Sequence, residues 1–372
     1  MRGAVQSRIA SSIAGAKRYL LEQAADGFPE ARHVMTFPRR AGFSAESETQ
    51  STDVFTRAVL AGVLLDAAEL DEDGGFRDAV RAIARREAEH VAGARLRGRA
   101  GGWSYFPGLP ELPPDLDSLS AALLLFARAA PDLAPLCAGP VALALGRAGP
   151  DGAIETWLIS SHDDPADRAA MERGVSLFWG SGADVDVCAH FYLALWTHDP
   201  SRYAKAARLG ARHVESRQRA DGAWEATWYH GSAYPAVLCL RLLRAVGGRK
   251  EAMAHALEHL RDSARPEGGW GAHETIPQET ALALWAIACS GGEVPAAASV
   301  RAVDCLVESQ LSEGHWRPSP WIRMDVGRAR GGGGPVLSYG SATLTSAFCL
   351  RALLMARRRS IAPCSAAGPW GI

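Results

Sequence analysis

The sequence predicts an all-α fold, an (α/α)6 barrel in which six helical hairpins close into a toroid. Three observations predict it. A Trp-bearing turn recurs at a fixed step, about twelve segments carry apolar residues at helical spacing, and strand-like alternation is almost absent. The turn reads Q-R-A-D-G-A-W at Gln218 to Trp224, P-E-G-G-W at Pro266 to Trp270, and Q-L-S-E-G-H-W at Gln310 to Trp316. Forty-six residues separate Trp224 from Trp270, and 46 separate Trp270 from Trp316. A constant period of about 40–50 residues marks a repeat whose units bury their apolar faces only against neighbours.

The elements follow in order. Apolar positions at helical spacing define helices over 5–24, 53–70 and 76–95, then 118–130 after the Pro113-Pro114 stop, and 139–147. Next come 184–197 behind an acidic start and 201–216, which ends at the first Trp turn. The pairs 233–246 with 250–263, and 278–291 with 296–310, fill the two repeats between turns, and 341–357 closes the series. Period and Gly/Pro/Asp punctuation support each. Twelve helices make six hairpins, so residues 1–372 are expected to form one barrel domain with a central cavity. Two long connections are expected to cover or line a site: the aromatic- and Pro-rich Gly101 to Asp115, and the Gly/Trp-containing loop 312–340 with its run Gly331 to Gly334.

Composition narrows the class. At 372 residues and 48% hydrophobic content the chain can bury a large core. Forty basic and 41 acidic residues give a net charge of −1, which offers no electrostatic case for nucleic acid. The seven cysteines (137, 188, 239, 289, 305, 349, 364) are scattered without a CxxC pair, so they read as reduced core thiols of a cytoplasmic protein. No apolar run approaches the length of a membrane span, and Met1 to Leu21 reads as a first amphipathic helix rather than a targeting peptide.

Acidic residues gather where helices start. Asp115, Asp117 and Ser118 fall at or within the first turn after the two prolines, where free backbone N–H groups favour carboxylates. Plain N-capping accounts for such residues equally well. A second acidic start, Asp184-Val185-Asp186, carries His190 one turn beyond Asp186 on the same face. Parallel inner helices would bring both starts to one rim. Tyr105, Phe106, Trp179, Trp228, Tyr234, Trp321 and Tyr339 lie near loop–helix junctions, and aromatic faces there can hold a cation. Trp224, Trp270 and Trp316 read as structural clasps between repeats.

These segments resemble, in order, the motifs of the squalene–hopene cyclase and class II terpene cyclase family. The Gln-x-x-[Asp/Glu]-Gly-x-Trp turns are similar to its QW motif, and Pro114-Asp115-Leu116-Asp117-Ser118 to its P-D-x-D-D acid motif, with Ser118 in the third acidic position. Asp186-Val187-Cys188-Ala189-His190 resembles its D-V-x-x-H segment. Asp221 to Trp224 with Trp228 and Tyr234, and Gly268 to Gly271 with Pro277 to Leu284, resemble two later stretches. The resemblance runs from about Gly101 to Leu354. It implies that Asp117 is a general acid, with Asp115 in the same motif, His190 its hydrogen-bond partner and Asp186 behind it. It implies that Trp228, Tyr234, Tyr105 and Tyr339 line the substrate cavity; Phe106, Trp179 and Trp321 are expected there from their places near the junctions.

The expected activity is protonation-initiated cyclisation of a linear isoprenoid or isoprenoid-bearing molecule. No cofactor or metal is needed for that initiation, and Mg²⁺ enters only with a diphosphate substrate. An apolar substrate makes peripheral membrane contact compatible with a cytoplasmic enzyme, and the oligomeric state is unassigned. Three other readings stand beside this one. A barrel could bind an isoprenoid or a protein without turnover. A prenyltransferase-like zinc site could use Asp186, Cys188 and His230. An (α/α)6 glycoside hydrolase or lyase could pair Asp117 with Glu155 or Asp186.

Overall fold

Burial divides the helices into two sets in the computed structural model, which describes residues 2–292 and 296–361. Cys364 lies outside them. The inner set is α2 (Val54–Leu70), α4 (Leu116–Ala129), α7 (Val185–His198), α9 (Ala233–Val246), α11 (Pro277–Ser290) and α13 (Ala342–Ile361). These are apolar around most of their circumference; every residue of α7 from Val185 to Leu195 is buried. Such helices must be surrounded by other elements. Each packs against the next, and α13 packs back on α2, closing a six-membered ring. The outer set is α1 (Arg2–Ala25), α3 (Gly74–Gly93), α5 (Ala138–Gly146), α8 (Pro200–Ser216), α10 (Lys250–Asp262) and α12 (Ala296–Glu308). These are amphipathic, and α8 buries only the stripe Tyr203, Ala207, Gly210, Ala211 and Val214 with His213. The six-hairpin barrel expected from the repeat is the architecture observed.

The Trp turns are the seams. The indole N–H groups of Trp224, Trp270 and Trp316 donate to the carbonyls of Val214, Leu260 and Leu306, each at 2.8 Å and each ten residues upstream. The 46-residue step is thus a repeat of one hydrogen bond that ties a turn to its own outer helix. The turn glycine faces the following outer helix. Gly222 and Gly314 have φ of +85° and +93°, and a Cβ on either would come 2.4 Å from a backbone oxygen, of His255 and Gly15 respectively. Only glycine satisfies both demands. Gln218 Nε2 spans the same seam to the carbonyls of Gly222 and Ala252, both at 2.9 Å. Gln310 Nε2 does so to Gly314 at 2.7 Å and to Ser12 of α1 at 3.0 Å. The last seam therefore joins the final repeat to the first helix.

Three features differ from the sequence reading. Helix α6 (Pro165–Gly174) and a π turn over Val175–Trp179 lie between α5 and α7. Asp164 caps α6 by accepting from Ala166 N and Asp167 N at 2.8 and 3.3 Å. Met171 is the only large apolar residue of α6, so no apolar stripe announces it. Strands β1 (His33–Thr36) and β2 (Thr49–Thr52) pair antiparallel with His33 opposite Thr52. Strands β3 (Ile322–Asp325) and β4 (Val336–Tyr339) pair with Ile322 opposite Tyr339, so the segment expected as loop 312–340 contains a hairpin. Four-residue strands are too short to display a period. Among the described residues no helix is long and apolar enough to cross a membrane.

Candidate active site

The inner helices start at one rim, and this brings the two acidic starts together. On α4 Asp115 is the N-cap; its side chain accepts from Ser118 N at 2.6 Å, Ser118 Oγ at 2.8 Å and Tyr105 N at 3.1 Å. Burial pushes its carboxyl up to about 7 against those donors, with the charge of Asp117 adding to the rise. One residue into the helix, Asp117 turns away from the cap. Its Oδ1 lies 2.5 Å from His190 Nδ1 on α7, and its Oδ2 accepts from the hydroxyl of Tyr229. His190 is 2% exposed at its side chain while Asp117 keeps 12%, so the carboxylate is the member of the pair that meets open space.

That space is a narrow pocket of about 40 Å³ with Asp115 and Asp117 in its floor. Phe55, Tyr105, Trp157 and Trp228 give it aromatic walls, and Ile322 and Met324 of β3 close one side. The remaining lining is Leu112, Thr156 and Val187. The walls are held by polar contacts at their backs. Tyr105 OH meets His33 Nδ1 at 2.9 Å. Trp228 Nε1 donates to Asp184 Oδ2 at 2.8 Å, and Thr156 Oγ1 donates to the same oxygen at 2.7 Å. Arg328, in the connection between β3 and β4, places two nitrogens 2.6 and 3.1 Å from Asp184 and its guanidinium 5.2 Å from the centre of the Trp228 ring.

The sequence-selected residues divide accordingly. Asp115, Asp117, Tyr105 and Trp228 line the pocket, and His190 touches it through Asp117. Asp186 is wholly buried behind, with Oδ1 accepting from Val187 N at 3.0 Å and Oδ2 without a hydrogen-bond partner. Burial, then the nearby charges of Asp184 and Asp117, push its carboxyl well above the usual range. Tyr234 packs behind Tyr229 with its ring tilted, ring centres 4.6 Å apart. Phe106 and Trp179 belong to the core, not to the pocket wall. Phe106 packs on His33, Phe37 and Tyr105, and Trp179 donates its indole N–H to Glu111 O at 2.8 Å. Trp321 is also core, stacked on Phe55 at 5.8 Å, and Tyr339 lies on His33 at 4.5 Å with its hydroxyl on Glu30 O. Proximity to a helix junction does not tell which way a ring points.

Two important contacts have no signal in the sequence reading. Tyr229 sits beside the selected Trp228 and reaches Asp117 because residues 228–230 run alongside the start of β3, with Tyr229 bridged to Ile322. The Asp184–Arg328 pair joins residues 144 apart in sequence. The residues of the zinc reading stand in separate contacts: Cys188 Sγ donates to Ile154 O, and His230 Nε2 pairs with Ser338 Oγ at 2.9 Å. Among the described residues no three His, Cys, Asp or Glu side chains gather as a metal site. Glu155 caps Gly182 N at 2.7 Å and is not part of the pocket lining.

The fold is shared with type II terpene cyclases of known structure. A variant of MstE from Scytonema, in complex with its product merosterolic acid A, superposes with a TM-score of 0.70 at 19% identity, covering 96% of this chain and 99% of that one. Residues 181–324 match the profile of the squalene-hopene cyclase C-terminal domain, and the resemblance carried by the motifs is to that same family. Drimenyl diphosphate synthase of Streptomyces showdoensis is 28% identical over 238 residues, which is 61% of this chain and 40% of that protein. The chain thus spans less than half the length of the curated relatives it matches. The barrel alone does not define a chemistry: a possible member of the GH105 family from Klebsiella pneumoniae shares it at TM-score 0.56 and 13% identity, over 95% of this chain.

Proposed function

We propose that this protein is a terpene cyclase that starts its reaction by protonation, on a linear isoprenoid or an isoprenoid-bearing substrate. The observation that carries the reading is the placing of Asp117. Its carboxyl faces an aromatic and aliphatic pocket, with one oxygen on His190 Nδ1 and the other on the Tyr229 hydroxyl. In the reaction the O–H bond of protonated Asp117 breaks and the π pair of a substrate alkene forms the new C–H bond, leaving a carbocation. His190 Nδ1–H and Tyr229 O–H stabilise the carboxylate so formed. Successive alkenes close rings onto the cation, and loss of a proton ends the sequence, so the product is an isomer of the substrate. Trp157, Trp228, Phe55 and Tyr105 present ring faces that stabilise positive charge and exclude water.

The relatives' names support an isoprenoid-derived substrate: one synthesises drimenyl diphosphate, and MstE is seen with merosterolic acid A. Initiation by Asp117 needs no metal; a substrate with a diphosphate head would bring Mg²⁺ with it. A pocket of about 40 Å³ holds a few waters and no polyene. A polyene therefore needs a wider cavity, and most of the walls that could yield, Tyr105, Leu112, Thr156, Trp157, Trp228 and β3, lie on connections and not on barrel helices. The test is incubation of wild type and Asp117→Asn with squalene, farnesyl diphosphate, geranylgeranyl diphosphate and a prenylated aromatic, read by mass spectrometry. An isomeric cyclic product from wild type alone is expected. A product formed equally by Asp117→Asn overturns the assignment of the acid, and binding of all probes without product would mark the barrel as a binding protein.

A further inference from the structure

A second cavity lies deeper in the barrel, on the other side of the acid. Its walls run from His190 and Tyr234 down to Asp66, Arg128, Arg241 and Trp285, and its free volume is about 30 Å³. The deep end is formed by the C-terminal halves of the inner helices, away from the rim that carries Asp117. There Asp66 of α2 pairs with Arg128 of α4 at 2.7 Å and with Arg241 of α9 at 3.5 Å. A third guanidinium, Arg351 of α13, lies 3.9 Å from the centre of the Trp285 ring, and Arg241 faces the same ring at 5.3 Å. Arg351 Nε and Nη1 are buried and have no hydrogen-bond partner.

The charges do not balance. Arg128 and Arg241 line the cavity with Asp66, and Arg351 flanks the lining residue Trp285, so three guanidiniums surround one inward carboxylate; Glu69, the second partner of Arg128, has half of its side chain in solvent. Burial raises the Asp66 carboxyl, but Arg128, Arg241 and Arg351 outweigh it and hold the group below its ordinary value. Burial pushes Arg351 down to about 10, which leaves it charged at neutral pH. Buried charge without a partner is costly, and unmade hydrogen bonds on it add to the cost. A cavity of this volume admits two or so waters. Water would satisfy the free N–H groups of Arg351 without neutralising its charge. An anion does both. It can also arrive: the side chains of Arg128, Asp66 and Arg241 retain 11, 12 and 20% exposure.

We propose that this end of the barrel is a binding site for a small oxyanion, a carboxylate or a phosphate, held by Arg351 with Arg241 beside Trp285. Guanidinium groups recognise both classes through charge-assisted hydrogen bonds. The site is at the opposite end of this cavity from His190 and is independent of the reading given to Asp117. Calorimetric titration of the full chain with sodium phosphate, and separately with sodium acetate, tests it at ionic strength fixed with sodium chloride. One of the two is expected to bind saturably at one site per chain with Kd below about 1 mM; the tighter one names the class. Arg351→Met is expected to weaken that binding by about tenfold or more, Arg351→Lys by less, and Asp117→Asn not at all. Absence of saturable binding by both anions in wild type overturns the proposal whether or not the Met variant folds. So does an unchanged Kd in a folded Arg351→Met or Arg351→Lys.

Discussion

Arg328 grips Asp184 through two nitrogens, at 2.6 and 3.1 Å, and so ties the β3–β4 connection to the first turn of α7. The carboxylate also holds Trp228 and Thr156, so one acidic side chain fixes two walls of the pocket and the strap that covers it. Arg328→Ala leaves a buried carboxylate without its cation. The expected loss is about 2–4 kcal/mol, below that of a fully enclosed pair because a quarter of Arg328 is in solvent. Chemical denaturation measures it. A double variant with Asp184→Asn should recover part of the loss, and additive losses would show that the two residues do not couple.

His190→Ala should lower turnover by roughly 10²–10⁴, the range for a group that assists proton transfer. The His190 side chain is 2% exposed, so the variant also loses core packing, and turnover is compared on protein shown to be folded. Full activity in the variant would remove His190 from the reaction.

Tyr229→Phe deletes one hydroxyl and leaves the ring in place against Tyr234 and Trp321. Asp117 Oδ2 then loses its donor, at a cost of about 1–3 kcal/mol to the carboxylate left by proton transfer. Turnover should drop by about 10–100-fold with KM little changed. A rise in KM alone would place Tyr229 in the wall and not on the acid.

Two buried carboxyls each contribute a loss of stability as pH rises, opposed by the buried His33, which is held down to about 4. Asp115 and Asp186 both have folded-state values above the unfolded one, through burial first of all. Each therefore contributes stability that is complete below about pH 4 and is lost as pH rises towards its folded value. For Asp115 that loss levels off above about 7, and Asp186, also raised, adds to it. Asp186→Asn removes the second part, so its melting temperature should decline less than wild type between pH 5 and 8. Parallel curves for the two proteins would show that Asp186 does not titrate in the fold as described.

Gln310→Ala breaks two hydrogen bonds at the seam between the last repeat and α1, at about 1–3 kcal/mol together. Gln218→Ala cuts the equivalent pair between α8 and α10. Both should lower the melting temperature, but only the first should expose α1 to limited proteolysis.

Most of the barrel was legible because inner and outer helices differ in the width of their apolar faces, and the Trp turns count the hairpins. All twelve segments expected from periodicity are helices within a few residues. What escaped has a physical reason in each case. Helix α6 packs on the outside and shows no stripe, and the strands are four residues long. At the site, Asp117 and His190 were legible because each stands near a helix start in a recognisable local pattern. Tyr229 and Arg328 act across 112 and 144 residues, and no local pattern encodes a partner so distant. Trp179 and Trp321 were assigned to the cavity by their position near helix ends, yet both face the core.

The seam between Gln310 and Ser12 also sets an order of events on the ribosome. Hairpins can form as they emerge, since each is stitched by bonds reaching ten residues back. The ring itself cannot shut until residue 310 meets residue 12, 298 positions earlier. At 5–20 residues per second, α1 spends roughly 15–60 s in the company of an unfinished arc. During that interval the apolar inner flanks of α2 and α11 both lack their shared neighbour α13. The nascent chain is therefore most exposed to misassociation until α13 has emerged.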